Sequence, residues 1–266
     1  PYHGYKGGYG QYGTAQIHLS STAVCGRSIG VTVLMAVKSY LRGAERDLLR
    51  ELMTLHKLQN AKCKFAPHLY GKLTMSVVQT LQAGGANWGI GMERLASTLH
   101  DCYAGKTGKG ELSLPKYGCL VEEDFRFFKH FLEQAALAFA QFHTIDVHHH
   151  DVKPNNIGVR YKSGAQLPVK QVSDLEIVFF DWGMAKTGVE SLSSWTDGTR
   201  PYSQKYWFQQ SPGSVDHFQC LMVVLVYMTA KPHSYYMTKE FTAGAKQFGA
   251  TWCSQVKLFG WLDFFL

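Results

Sequence analysis

His148-His149-His150-Asp151-Val152-Lys153-Pro154-Asn155-Asn156-Ile157 carries the densest chemistry of the chain. Three imidazoles, a carboxylate, a lysine and an amide precede a strand candidate, Asn156 to Tyr161. A metal cluster of His148, His149, His150 and Asp151 is one use of such a run. Neighbouring residues in a strand or turn point in different directions, however, so the run by itself is not expected to close around an ion. Downstream, Val178-Phe179-Phe180-Asp181-Trp182-Gly183 places an acidic residue at the end of an apolar strand, before a glycine turn.

Two upstream pieces complement these. Met35-Ala36-Val37-Lys38 ends an apolar strand on a lysine, and a strand-end lysine is ordinarily a surface residue. Residues Glu45 to Gln59 carry Leu48, Leu52, Leu55 and Leu58 at helical spacing, and Glu51 falls on the same face. A carboxylate inside an apolar stripe is costly unless paired. The helix therefore calls for a buried cation, and Lys38 can answer it. Gly8-Tyr9-Gly10-Gln11-Tyr12-Gly13 is a G-x-G-x-x-G run whose glycines let backbone N–H groups approach phosphates. It opens a strand rather than a helix, which disfavours a dinucleotide-binding fold, and a flexible Gly/Tyr-rich tail is the plainer alternative.

Composition bounds the rest. The chain has 266 residues, 45% hydrophobic and 18% charged, a globular balance. Its longest apolar run, Leu221 to Met228, is far short of a membrane span, so none is expected. A net charge of +7 favours anionic partners. The lysines are dispersed and no nucleic-acid motif is present, so no nucleic acid is expected. Six scattered cysteines without a C-x-x-C pair suit reduced thiols and an intracellular setting.

Strands are expected at Ala15–Leu19, Val31–Val37, Leu73–Leu81 and Trp88–Glu93, then a turn-rich excursion from Asp101 to Gly118. Helices are expected at Glu122–His143 and Ser214–Thr229. The first has Phe125, Phe128, Leu132, Ala135, Phe139 and Phe142 on its inner face. Short strands at Asn156–Tyr161 and Leu175–Phe180 flank a long polar loop. Strands first and helices later suggest an α+β chain of two unequal lobes.

In this order the pieces resemble the protein kinase signature set of Gly-rich loop, V-A-I-K, H-R-D-L-x-x-x-N and D-F-G. Gly198-Thr199-Arg200-Pro201-Tyr202 resembles the segment before the substrate platform, and Ser214-Val215-Asp216 the start of the buried central helix. The resemblance runs from about Gly8 to Met228. It implies a bilobal protein kinase-like fold, with residues 1–94 as a small β-rich lobe and 95–266 as a larger, mainly helical one, cut close at both ends. It implies that Gly8, Gly10 and Gly13 cover the ATP phosphates, and that Lys38 holds the α- and β-phosphates and pairs with Glu51. Ala36 and Met92 would line the adenine site, with Met92 as gatekeeper and Glu93 to Leu95 as hinge. Asp151 would orient the substrate hydroxyl or accept its proton, Lys153 would steady the γ-phosphate, and Asn156 and Asp181 would ligate Mg²⁺, or Mn²⁺ in its place. His149, Trp182 and Leu55 would be scaffold, with His149 tied towards Asp216.

Lys153 and Gly198-Thr199 resemble the Ser/Thr branch, whose acceptors are Ser/Thr hydroxyls of protein substrates. The missing A-P-E, with Tyr206 at the glutamate position, more distantly resembles casein kinase 1 and the vaccinia-related kinases. His150 replaces the usual arginine, and a histidine grips a phosphate weakly near neutral pH. That implies activity independent of phosphorylation at Thr196 or Thr199. Ala15 and Gly158 depart from the family's adenine-site pattern. A pseudokinase scaffold and a small-molecule phosphotransferase of the aminoglycoside or choline kinase type are the alternatives.

Overall fold

The computed structural model describes residues 5–7, 10–22, 28–40, 43–74, 88–104, 122–162, 172–187, 215–217, 219–220 and 222–224. They form a mixed α/β chain of small antiparallel sheets and several helices. Contacts divide the chain into two compact units. One comprises Pro1–Leu95 with Asp181–Gly183, and the other Ala96–Phe180 with Met184–Leu266. Asp181 to Gly183 group with the first unit because their charged and backbone groups bond to its residues.

The first unit is a five-stranded antiparallel sheet in the order β1-β2-β3-β5-β4 with one helix. Its strands are β1 (Tyr5–Gly7), β2 (Gly10–Thr22), β3 (Ser28–Tyr40), β4 (Leu69–Thr74) and β5 (Trp88–Glu93). Strands β2 and β3 are longer than the β-rich runs from which they were expected, because the polar residues Ser20 to Thr22 and Ser28 continue the ladder as far as Thr22 opposite Ser28. Interior strand β3 pairs with β2 on one side and β5 on the other, and Met35, Val37, Lys38, Ser39 and Tyr40 are all buried.

Strand β4 begins at Leu69, four residues before the alternating pattern does. The Leu69 N–H donates to Gln59 Oε1 at 2.9 Å, and the register against β5 slips between Leu69 and Gly71. Gly71 has φ 134°, so an extra residue bulges there and breaks the alternation on which strand recognition depends. The part of the expected strand beyond Thr74 lies outside the described residues.

Helix α1 (Glu45–Asn60) carries Glu45 and Asp47 in its first turn and Lys57 in its last, the signs its dipole favours. Leu48, Glu51, Leu55 and Leu58 are buried, while Leu52 is only half-buried. Each buried leucine contributes about 1.5–3 kcal/mol.

The second unit contains a three-stranded sheet, β6-β8-β9, from β6 (Ser97–Thr98), β8 (Ile157–Tyr161) and β9 (Leu175–Phe179). A two-stranded pair joins β7 (Val147–His148) to β10 (Lys186–Thr187). Strand β8 starts one residue later than expected, because Pro154–Asn156 is a 3₁₀ turn. Asp101 does not open a turn-rich excursion. It lies in helix α2 (Leu99–Ala104), which Thr98 caps: its hydroxyl accepts from the Asp101 N–H at 3.0 Å and donates to Asp101 Oδ2 at 2.7 Å. Residues 105–118 lie outside the described residues.

Helix α3 (Glu122–Thr144) buries Phe127, Phe128, Phe131, Leu132, Ala135, Ala138, Phe139 and Phe142, a wider face than expected. Phe139 and Phe142 meet Phe179 of β9 at 5.2 and 5.7 Å between ring centroids. Gln134 secures the β9 backbone, accepting from the Ile177 N–H at 2.8 Å and donating to the Leu175 carbonyl at 3.1 Å. Residues 215–217, 219–220 and 222–224 are helical, with Asp216, Gln219, Cys220, Met222, Val223 and Val224 buried. The rest of the expected Ser214–Thr229 helix, the Phe125 side chain and most of the 162–174 loop lie outside the described residues. No helix among those described is long and apolar enough to cross a membrane.

Candidate functional site

In the first unit, Lys38, Glu51 and Asp181 form one ion group. Lys38 Nζ donates to Glu51 Oε2 at 2.5 Å and also to Asp181 Oδ1. Strand periodicity puts Tyr40 on the same side of β3 as Lys38, and its hydroxyl donates to Glu51 Oε2. The second Glu51 oxygen, Oε1, accepts from the Trp182 N–H at 3.2 Å. The buried carboxylate that the α1 stripe implied is thus met by a cation, a phenol and a backbone donor. Lys38 and Glu51 are almost wholly buried, whereas the Asp181 side chain is 30% exposed.

Burial alone would lower the Lys38 ammonium, but Glu51 and Asp181 outweigh it and hold its pKa above the ordinary lysine value. Glu51 is raised: burial penalises its charge most, and Asp181 adds like-charge repulsion against the opposing pull of Lys38. One lysine thus faces two carboxylates.

The backbone is shaped to bring Asp181 here. Asp181 has φ 64°, a left-handed conformation that aspartate tolerates better than most residues, followed by a 3₁₀ turn at Trp182–Met184. Arg50 of α1 donates to the Gly183 carbonyl at 3.1 Å. A Cβ at Gly183 would stand 3.6–3.9 Å from Asp181 Oδ1, Glu51 Oε2 and Lys38 Nζ, so the missing side chain leaves space beside all three charged atoms.

Gly10 and Gly13 lie in β2, opposite Tyr40 and Val37, while Gly8 lies outside the described residues. Ala36 and Met92 face each other across β3 and β5, with Met92 buried. The Glu93 N–H donates to the His68 carbonyl at 2.8 Å, and Glu93 Oε2 accepts from the His68 N–H at 3.1 Å. Leu95 follows β5 as a half-buried residue.

In the second unit, Asp151, Lys153 and Asn156 converge. Asp151 Oδ2 accepts from Lys153 Nζ at 2.8 Å and from Asn156 Nδ2 at 2.9 Å. Asn156 Nδ2 also donates to the Asp151 carbonyl at 2.9 Å. With its nitrogen so committed, the Asn156 amide oxygen is the atom it can offer a cation.

The loop carrying Asp151 is gripped from one helical face. Asp216 Oδ2 accepts from the His149 N–H at 2.9 Å and Oδ1 from the His150 N–H at 2.8 Å. Gln219, three residues on, accepts from the Val152 N–H at 2.8 Å and donates to the His150 carbonyl at 3.0 Å. These bonds hold His150 at φ 61°, an unusual value for a non-glycine residue. Burial would raise the Asp216 carboxyl. The His143 hydrogen bond and the neighbouring imidazoles of His150, His143 and His149 outweigh burial and keep it well below the usual carboxylate range.

The three consecutive histidines diverge. The His149 ring meets the Phe180 carbonyl at 3.0 Å through Nε2, while His148 stacks on His143 of α3 at 4.7 Å. Trp182, His149 and Leu55 are all fully buried.

Tyr40, Arg50 and Gln219 were not anticipated. Tyr40 was readable from its two-residue offset to Lys38, and Gln219 from its three-residue offset to Asp216. Nothing in the sequence marks Arg50. Thr196, Thr199, Tyr206 and the Gly198–Tyr202 segment lie outside the described residues. No protein-family model matches the chain, and no curated protein matches it.

Proposed function

We propose that the chain is an ATP-dependent protein kinase of the Ser/Thr branch, with a bilobal protein kinase-like fold of a smaller β-rich lobe (1–94) and a larger, mainly helical one (95–266). One observation carries this reading: Lys38 joins Glu51, 13 positions away, and Asp181, 143 positions away, in a single, largely buried group. The α1 stripe explains a partner for Glu51, but packing alone does not require a second carboxylate on the same lysine.

Phosphoryl transfer depends mainly on positioned charge. Lys38, kept protonated by its two carboxylates, supplies a fixed cation for phosphate oxygens. A divalent cation suits the partial exposure of Asp181 and the space beside Gly183. Asp181 and Asn156 each carry an oxygen of the kind Mg²⁺ takes as a ligand, and the cation when bound would neutralise charge on the phosphates. Asp151, its carboxylate fixed by Lys153 and Asn156, orients the acceptor hydroxyl and takes up its proton. Lys153 steadies the transferred phosphate.

The test incubates the full chain with Mg²⁺ and γ-labelled ATP, offering casein, a basic protein and amino-sugar acceptors. Label on Ser or Thr of a protein, lost in Asp181→Asn, is the expected result. Label on the amino sugar would make the chain a small-molecule phosphotransferase. Absence of ATP binding would make it a scaffold.

A further inference from the structure

We propose that His143, His148 and Asp216 form a binding site for a zinc-class divalent cation in the second unit, separate from the residues assigned to phosphate transfer. Their ligand atoms lie within 4.8 Å of one another. His143 comes from the last turn of α3, His148 from β7 and Asp216 from the helix that grips the 149–152 loop. Two imidazoles and a carboxylate are a common donor set for zinc, with the fourth position left to water.

The His148 ring supplies the second, independent observation. Its Nε2 faces Asp146 Oδ1 at 3.4 Å, which favours the proton on Nε2. Nδ1 is then a bare lone pair, and it is buried without a hydrogen-bond partner in a residue only 6% exposed. A buried acceptor with no donor is costly, and a cation relieves that cost. Asp146 holding the far nitrogen is the outer-shell arrangement that fixes the tautomer of metal-bound histidines.

The spacing fits as well. His143 Nε2 and Asp216 Oδ2 stand 3.2 Å apart. Two ligands of a tetrahedral zinc ion with bonds of 2.0–2.1 Å stand about 3.3 Å apart.

The full chain, stripped by chelator and dialysed, is titrated with Zn²⁺ against a chromophoric competitor, with bound metal counted by elemental analysis. One equivalent at micromolar free Zn²⁺ is expected. His143→Gln and His148→Gln should each bind more weakly than Asp146→Asn, whose outer-shell loss costs about 10–100-fold. His56→Gln, on the exposed face of α1, should match the unaltered chain. Asp146 is 51% exposed, so its variant tests the site even if His148→Gln fails to fold. Less than one equivalent bound by the unaltered chain, or His143→Gln and Asp146→Asn both binding as tightly as it does, would overturn the proposal.

Discussion

Asp216→Asn, measured in chelator so that no metal contributes, is expected to destabilise the chain by about 3–5 kcal/mol, the usual cost of breaking a buried charged group from its partners. Both carboxylate oxygens are committed. Oδ2 takes the His149 N–H and His143 Nε2, and Oδ1 takes the His150 N–H. Asparagine has one acceptor oxygen, so at this fully buried position its amide would turn N–H groups towards a backbone N–H. The cost includes releasing His150 from its left-handed backbone, since the two N–H contacts and the Gln219 bonds are what hold it there. At about 2–4 °C per kcal/mol for a chain of this size, the melting temperature should fall by about 6–20 °C. A variant melting within about 2 °C of the unaltered chain would show that the loop is not held through Asp216.

The same residue shows what the sequence could and could not disclose. Asp216 entered only through the kinase resemblance, as the residue towards which His149 is tied. Glu51 was readable from the residues themselves, and Lys38 answers it: the signal is a charge placed where burial forbids an unpaired one. The failures have the opposite character. Helix α2 rests on a reciprocal Thr98–Asp101 cap rather than on periodicity. The start of β4 hides behind the Gly71 bulge. Asp181 to Gly183 group with the first unit because of bonds made across more than a hundred positions, which no local pattern encodes. The His143–His148 approach is of the same kind. The divergence of successive side chains argues against a cluster within His148–His150, yet it is silent about a histidine brought in by the end of α3.

A second large effect is expected at Asp151. Asp151→Asn should lower the rate of phosphate transfer by about 10²–10⁴-fold, the contribution of a positioned acid–base group, while leaving ATP affinity unchanged. The substitution is nearly isosteric. The asparagine oxygen can still accept from Lys153 Nζ and Asn156 Nδ2, which in the native chain lie 2.8 and 2.9 Å from Asp151 Oδ2. The loop backbone is held independently by Asp216 and Gln219, so the fold does not depend on the lost charge. In the proposed function, what disappears is the capacity to take a proton from the acceptor hydroxyl. The separation of rate from affinity is therefore the diagnostic. Asp181→Asn should weaken Mg²⁺-dependent nucleotide binding as well as turnover, because Asp181 belongs to the Lys38–Glu51 group. Asp151→Asn should touch turnover alone. An Asp151→Asn protein with undiminished turnover would remove Asp151 from the chemistry. One that had lost ATP binding would instead make it a nucleotide-site residue.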